Sequence, residues 1–238
     1  NKRAAQLGCE NTHFCNCNGL DEPDDHYSSA RDIAKISCAL IAHKDVFKYT
    51  TTWMDTLRNG SFGLSNTNKL LKTYNGANGL KTGSTSKAKY CLAASAERDG
   101  MELIAVVLGA PSTAERFGSA AKLLDYGFAN YSVVKGDELV GSIPNLPVQS
   151  GTADTVPVAL EGNPNYIVKK GNADKVDKEI NTNTICMAPI KKGDVVGQVV
   201  FRIDGEKIGE NNIVAIADVD RIGFFDLFIK NMKKYFSM

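Results

Sequence analysis

Surplus charge, a long apolar run and a dense cysteine framework are all missing from this 238-residue chain. Its 28 Lys and Arg meet 27 Asp and Glu, a formal net charge of +1. That balance excludes a protein whose main task is neutralising a nucleic-acid backbone, which takes concentrated positive charge. No stretch reaches the roughly 18 apolar residues needed to cross a bilayer. The longest uncharged apolar run, 103–108, has the size of a strand. Internal repeats and low-complexity tracts are absent too, and the single tryptophan, Trp53, is read as core.

The six cysteines are too scattered for a small disulfide scaffold. Cys9, His13, Cys15 and Cys17 cluster locally, but without the paired Cys-x-x-Cys of a structural zinc site. They are read as small packing residues rather than as a metal site, and no metal or organic cofactor is expected. The opening segment, 1–8, lacks the basic-then-apolar order of a signal peptide. It reads as the second half of a helix ending at Gly8, and the expectation is a fragment of a longer protein.

What is present is ordinary globular material, 43% hydrophobic and 23% charged, enough for one large or two modest domains. Residues 30–43 place Ile33, Ile36, Leu40 and Ile41 on one helical face, with Ser28 or Ser29 as cap and Asp32 in the first turn. A second helix is predicted from Ser112 to about Phe128, opened by the capping box Ser112-Thr113-Ala114-Glu115 and striped by Phe117, Ala120, Ala121, Leu124 and Phe128. Between them, 90–96 and 101–108 form a hairpin about Asp99-Gly100. The unbroken apolarity of 103–108 predicts a strand buried on both faces. From about 131 to 220 the pattern changes to short Val/Ile segments at 155–160, 166–169 and 195–203, with no convincing helix. The expected division is 1–130, an all-β domain at 131–221, and an amphipathic helix at 222–238. In that last segment Phe224, Phe225, Leu227, Phe228, Ile229, Met232 and Phe236 accompany Lys230, Lys233 and Lys234, the composition of a membrane-surface helix.

The sharpest chemical feature is Gly79-Leu80-Lys81-Thr82-Gly83-Ser84-Thr85. A lysine, hydroxyls and a glycine along one strand suit an acyl donor that ends in a carboxylate. Lys81 supplies positive field, Thr82 and Thr85 offer hydrogen bonds, and Gly83 lets a substrate backbone lie close. The Ser84 N–H would form half of an oxyanion hole. As a bare triplet, Lys-Thr-Gly is more often an ordinary turn with a solvated lysine. His13 and His26 read as structural or surface residues and Asp32 as a helix-start acid. Asn66 and Asn68 read equally as cleft residues or as a polar turn.

The segment resembles the Lys-Thr-Gly box of the penicillin-recognising serine enzymes. More closely, the chain is similar to the low-molecular-mass penicillin-binding proteins, the serine D-Ala-D-Ala carboxypeptidases. The runs 11–14 with 18–21, 26–32 and 66–71 match that family's landmarks in order before the box. The resemblance implies an α/β (α+β) penicillin-binding/β-lactamase-like transpeptidase domain, incomplete here, followed by an all-β C-terminal domain and a membrane-associating helix. It implies Lys81 and Ser84 as catalytic residues and Lys81, Thr82, Gly83 and Thr85 as substrate-binding residues. The implied partners are peptidoglycan stem peptides ending in D-Ala-D-Ala, β-lactams and the membrane surface, at the extracytoplasmic face of a bacterial cell membrane. Nucleic acid is not among them.

The family's nucleophile sits in a Ser-x-x-Lys box followed by Ser-x-Asn. Ser-x-Asn does not occur here, and Ser-x-x-Lys is spelled at 84–87 (overlapped by 86–89), 119–122 and 132–135, none in a credible setting. The chain by itself is therefore expected to be inactive, since a covalent mechanism needs a nucleophile beside its base. Two other readings remain: a non-catalytic cell-wall-binding pseudoenzyme, and a β-lactamase. The trailing all-β domain and basic tail disfavour the second.

Overall fold

The computed structural model describes all residues except 22, 23, 142, 227, 230, 231 and 233–238. The chain divides into two compact units, Asn1–Tyr131 and Ser132–Met238. In the first, α1 (Lys2–Gln6) ends before Gly8, whose φ of 72° is the left-handed value that glycine accepts without strain. Next come α2 (Ala30–Ile41), α3 (Phe47–Thr50), a hairpin of β1 (Met54–Leu57) and β2 (Phe62–Ser65), and the single turn α4 (Leu70–Thr73). The core sheet is antiparallel, in the order β3 (Ala77–Thr85), β4 (Lys89–Arg98), β5 (Met101–Ala110). Helix α5 (Thr113–Asn130) completes the unit.

The local signals act where they were expected. Ser29 caps α2 by accepting the Asp32 N–H at 3.2 Å, and Ser112 caps α5 by accepting the Glu115 N–H at 3.2 Å. Asp99 and Gly100 both take positive φ, closing the β4–β5 hairpin. Helix α5 lies against β4 and β5 and buries Ala120, Leu124 and Phe128. On the sheet, Leu92, Ala94, Ala96, Met101 and Ala105 are buried too, so the core of this unit is rich in small residues.

Three expectations change. The run 103–108 is half-buried rather than fully enclosed: α2 and α5 both pack on β5, yet 103, 104, 106 and 107 stay partly covered and Leu108 is exposed, and β4 rather than β5 is the central strand. Trp53 is half-buried, with the Lys72 ammonium 4.4 Å from its ring centre. In α2 the fully buried side chains are Asp32 and Ser37, whereas Ile33 and Ile36 are half-covered and Leu40 is exposed.

The second unit begins with β6 (Tyr131–Lys135) and a short helix, α6 (Gly136–Val140), which the sequence pattern did not announce. Strands β7 (Leu146–Gln149), β8 (Thr155–Val156), β9 (Val158–Leu160), β10 (Asn165–Lys169), β11 (Val176–Thr182), β12 (Cys186–Met187), β13 (Val195–Ile203) and β14 (Glu206–Ala215) follow. They form a four-stranded sheet β11-β13-β14-β9, a three-stranded sheet β12-β7-β8 and the pair β10-β6. Asp204 and Gly205, both at positive φ, turn β13 into β14. Phe201, Val199, Ile213 and Val156 are fully enclosed at the centre. Gly209 is required by close packing, because a Cβ there would sit 1.9 Å from the Tyr166 ring.

Phe224, Phe225, Asp226, Phe228, Ile229 and Met232 have helical backbone and are exposed. The rest of the expected terminal helix, including Leu227, Lys230, Lys233, Lys234 and Phe236, lies outside the described residues. Among the described residues, no helix is long and apolar enough to cross a membrane.

Candidate active site

Strand β3 pairs with β4 on one side, from Thr82 opposite Leu92 to Thr85 opposite Lys89, and has no second strand partner among the described residues. Strand geometry sends alternate side chains to opposite faces. Leu80 and Thr82 share the buried face, while Lys81 and Gly83 are exposed on the other, with Thr85 half-buried beside them. Lys81 is thus available to a ligand, its ammonium donating meanwhile to the Thr82 carbonyl. Gly83 is not demanded by the fold: its φ is not left-handed, and a Cβ added there would meet nothing within 4 Å. Open space over that glycine is what close approach by a substrate backbone requires.

The two threonines divide. Thr82 Oγ1 lies 2.5 Å from Thr67 Oγ1, so its hydroxyl is held in the interior, away from the Lys81 face. Thr85 Oγ1 donates to Asp21 Oδ1 at 2.7 Å and accepts from the Ala88 N–H at 2.9 Å. Ser84, opposite Tyr90, is exposed. The structure therefore gathers Lys81, Gly83 and Thr85 on one face and separates Thr82 from them.

The start of β3 is tied down by backbone-directed amides. Buried Asn68 donates through Nδ2 to the Gly79 carbonyl at 2.8 Å. Asn66 accepts the Asn68 N–H at 2.9 Å and donates to the Thr52 carbonyl at 3.0 Å. Both asparagines thus form the polar turn rather than a cleft wall. Thr50 adds a 2.6 Å bond to the Asn78 carbonyl. Asp32 is likewise structural, its Oδ2 accepting from the Asn11 N–H at 2.7 Å and the Thr12 hydroxyl at 2.8 Å. Burial opposes its charged form, but those bonds and Lys35 at 3.8 Å hold its carboxyl below the usual range.

Sequence reasoning missed two residues at the far end of β3. Arg116 is buried on α5, and its Nη1 donates to the Gly83 carbonyl at 3.2 Å and the Cys91 carbonyl at 3.3 Å. The Phe117 ring centre lies 4.7 Å from its guanidinium. A signal was available, because 116 continues the buried spacing of 120, 124 and 128, and a charge in an apolar stripe needs a reason. Asp21, 64 residues from Thr85, offered none.

The Ser-x-x-Lys spellings do not assemble a nucleophile; Ser86 and Lys89, which spell a fourth overlapping the first, are both exposed. Lys87 pairs with Asp24 at 2.8 Å, Lys135 pairs with Glu138 at 2.8 Å, and Ser119 and Lys122 are exposed on α5. His13 and His26 lie in the loop before α2, His13 bridging to Tyr27. Cys15 and Cys17 are exposed and Cys9 is half-buried, so this cluster is not the packing material expected of it.

Comparison with known proteins supplies the wider setting. Residues 1–112 match the family model for D-alanyl-D-alanine carboxypeptidase of peptidase family S11, and 128–221 match that for the C-terminal domain of penicillin-binding protein 5. The chain is 37% identical over 236 residues to the D-alanyl-D-alanine carboxypeptidase DacF of Bacillus subtilis, covering 98% of this chain and 60% of that one. It is 35% identical to DacA of Haemophilus influenzae, covering 100% and 62%. It therefore spans about three fifths of the length of these curated relatives. Penicillin-binding protein 5 of Haemophilus influenzae has a similar structure, with a TM-score of 0.70 at 35% identity over 92% of this chain and 64% of that one. Penicillin-binding protein 6B of Escherichia coli follows at 0.62 and 27%, over 90% and 58%.

Proposed function

Because this chain belongs to the D-alanyl-D-alanine carboxypeptidase family, we propose that its β3 edge is the recognition wall of an enzyme that removes the terminal D-Ala from peptidoglycan stem peptides. The observation that carries this reading is the exposed Lys81–Gly83–Thr85 face, inside the segment that matches the family and open above a glycine the fold does not need.

In this reading the stem peptide lies along β3 with its backbone over Gly83. The Lys81 ammonium provides the positive field, and the substrate carboxylate replaces Asp21 as the acceptor of the Thr85 hydroxyl. The Ser84 N–H stabilises the oxyanion that forms when a serine attacks the penultimate carbonyl. The resulting acyl-enzyme releases D-Ala and is cleared by water, and a β-lactam carbonyl enters by the same route. Thr82 holds the strand through Thr67 rather than touching substrate, a change from the sequence expectation. The attacking serine is none of 84, 86, 119 or 132, so this chain alone is inactive in the proposal.

The test is stereospecific release of D-Ala by the protein that contains this chain. A peptide ending in D-Ala-D-Ala should be cleaved and one ending in D-Ala-L-Ala left intact; equal cleavage of both, or of neither, contradicts the assignment. The exposed Phe224, Phe225, Phe228 and Ile229 support a second element of the proposal, adsorption to the extracytoplasmic face of the cell membrane. Deleting 222–238 should move the protein from the membrane to the soluble fraction, and unchanged retention would remove that element.

A further inference from the structure

Outside β3, the loop between α1 and α2 brings soft and hard donors together. His13 Nδ1 lies 3.3 Å from Cys15 Sγ, and Asp25 sets Oδ1 at 3.1 Å from that sulfur and Oδ2 at 3.5 Å from that nitrogen. One donor atom from each residue can be chosen so that all lie within 4.8 Å of one another. The arrangement is braced from behind. His13 and Tyr27 exchange two backbone hydrogen bonds of 2.9 Å, which fixes the two ends of the loop side by side. The Cys15 N–H donates to His26 Nδ1 at 3.0 Å, which fixes the middle.

We propose that His13, Cys15 and Asp25 form a binding site for a zinc-like divalent cation. A tetrahedral zinc with bonds of about 2.0–2.3 Å to N, O and S spaces its ligands about 3.3–3.7 Å apart, close to the 3.1, 3.3 and 3.5 Å separations here, two of which use different oxygens of Asp25. Nitrogen, thiolate and carboxylate together select a borderline-soft ion over magnesium or calcium, which take oxygen ligands. Binding replaces the hydrogen bonds that the three side chains now make among themselves and the one that His13 Nδ1 donates to the Asp25 carbonyl at 3.0 Å. The Cys15 thiol proton passes to solvent, and the His13 proton resides on Nε2 so that Nδ1 can coordinate. A turn of the Asp25 carboxylate brings one of its oxygens into the ion's shell. With three protein ligands at the surface, the fourth position is left to water. Such a site staples the segment 13–27, and it stands independently of the reading of β3.

The exposure of Cys15 makes the experiment clean, since substitution there disturbs no core. The chain is stripped with a chelator and titrated with zinc by calorimetry, then with cobalt followed by absorption as a reporter of thiolate ligation. The proposal predicts one ion per chain and a sulfur-to-cobalt charge-transfer band. Cys15→Ser should abolish that band and weaken zinc binding by about ten-fold or more, with His13→Ala and Asp25→Asn weakening it similarly. Cys17→Ser should bind as wild type does, and thermal melts of the stripped variants should confirm that all are folded. Binding weaker than about millimolar, binding unaffected by Cys15→Ser, or loss on Cys17→Ser would overturn it.

Discussion

Asp32 shows how much a single side chain can do beyond the role its position announces. Three residues into a capped helix, it reads as an acid complementing the helix dipole. The folded chain buries it and uses it to hold Asn11 and Thr12. Its carboxyl is held below the ordinary value, so the stability it supplies is complete above the carboxylate range and lost as pH falls through the lowered native pKa. Asp32→Asn should lower the melting temperature at neutral pH and flatten its decline in acid; parallel acid limbs for the two proteins would contradict this linkage. Lys81 and Gly83 were legible through the resemblance of Gly79–Thr85 to the Lys-Thr-Gly box, in order after that family's other landmarks, and not from the triplet alone. Asp21 and Thr67 were not, since their contacts to Thr85 and Thr82 arise only from the folded path of loops.

At the scale of elements, short-range chemistry was readable and packing was less so. The caps Ser29 and Ser112 and the turn Asp99-Gly100 depend on a few neighbouring residues, and each formed as its sequence indicated. Strand order depends on partners far along the chain, so the apolar run of β5 gave no sign that β4 would occupy the centre. Arg116 links α5 to β3, joining the Gly83 and Cys91 carbonyls across β3 and β4. Arg116→Met keeps the aliphatic bulk and removes both bonds. It should cost about 1–3 kcal/mol in denaturant unfolding and speed amide hydrogen exchange at 83–85 ahead of the β4–β5 hairpin. Uniform exchange across all three strands would show that Arg116 only supports the core.

Taken whole, the molecule separates a mixed α/β unit, which carries β3, from a mainly β unit centred on Phe201. The change in composition near residue 131 follows from their different cores, alanine-rich against a sheet in one and valine-rich between sheets in the other. Function in this account rests on the first unit presenting a charged, uncluttered strand face. The most direct measurement is the second-order rate of acylation by a labelled penicillin, taken on the protein that contains this chain and on its Lys81→Ala variant. The account predicts a fall of about 100-fold or more with an unchanged unfolding midpoint. A variant that acylates within about two-fold of wild type would contradict the claim that this strand grips the acyl donor.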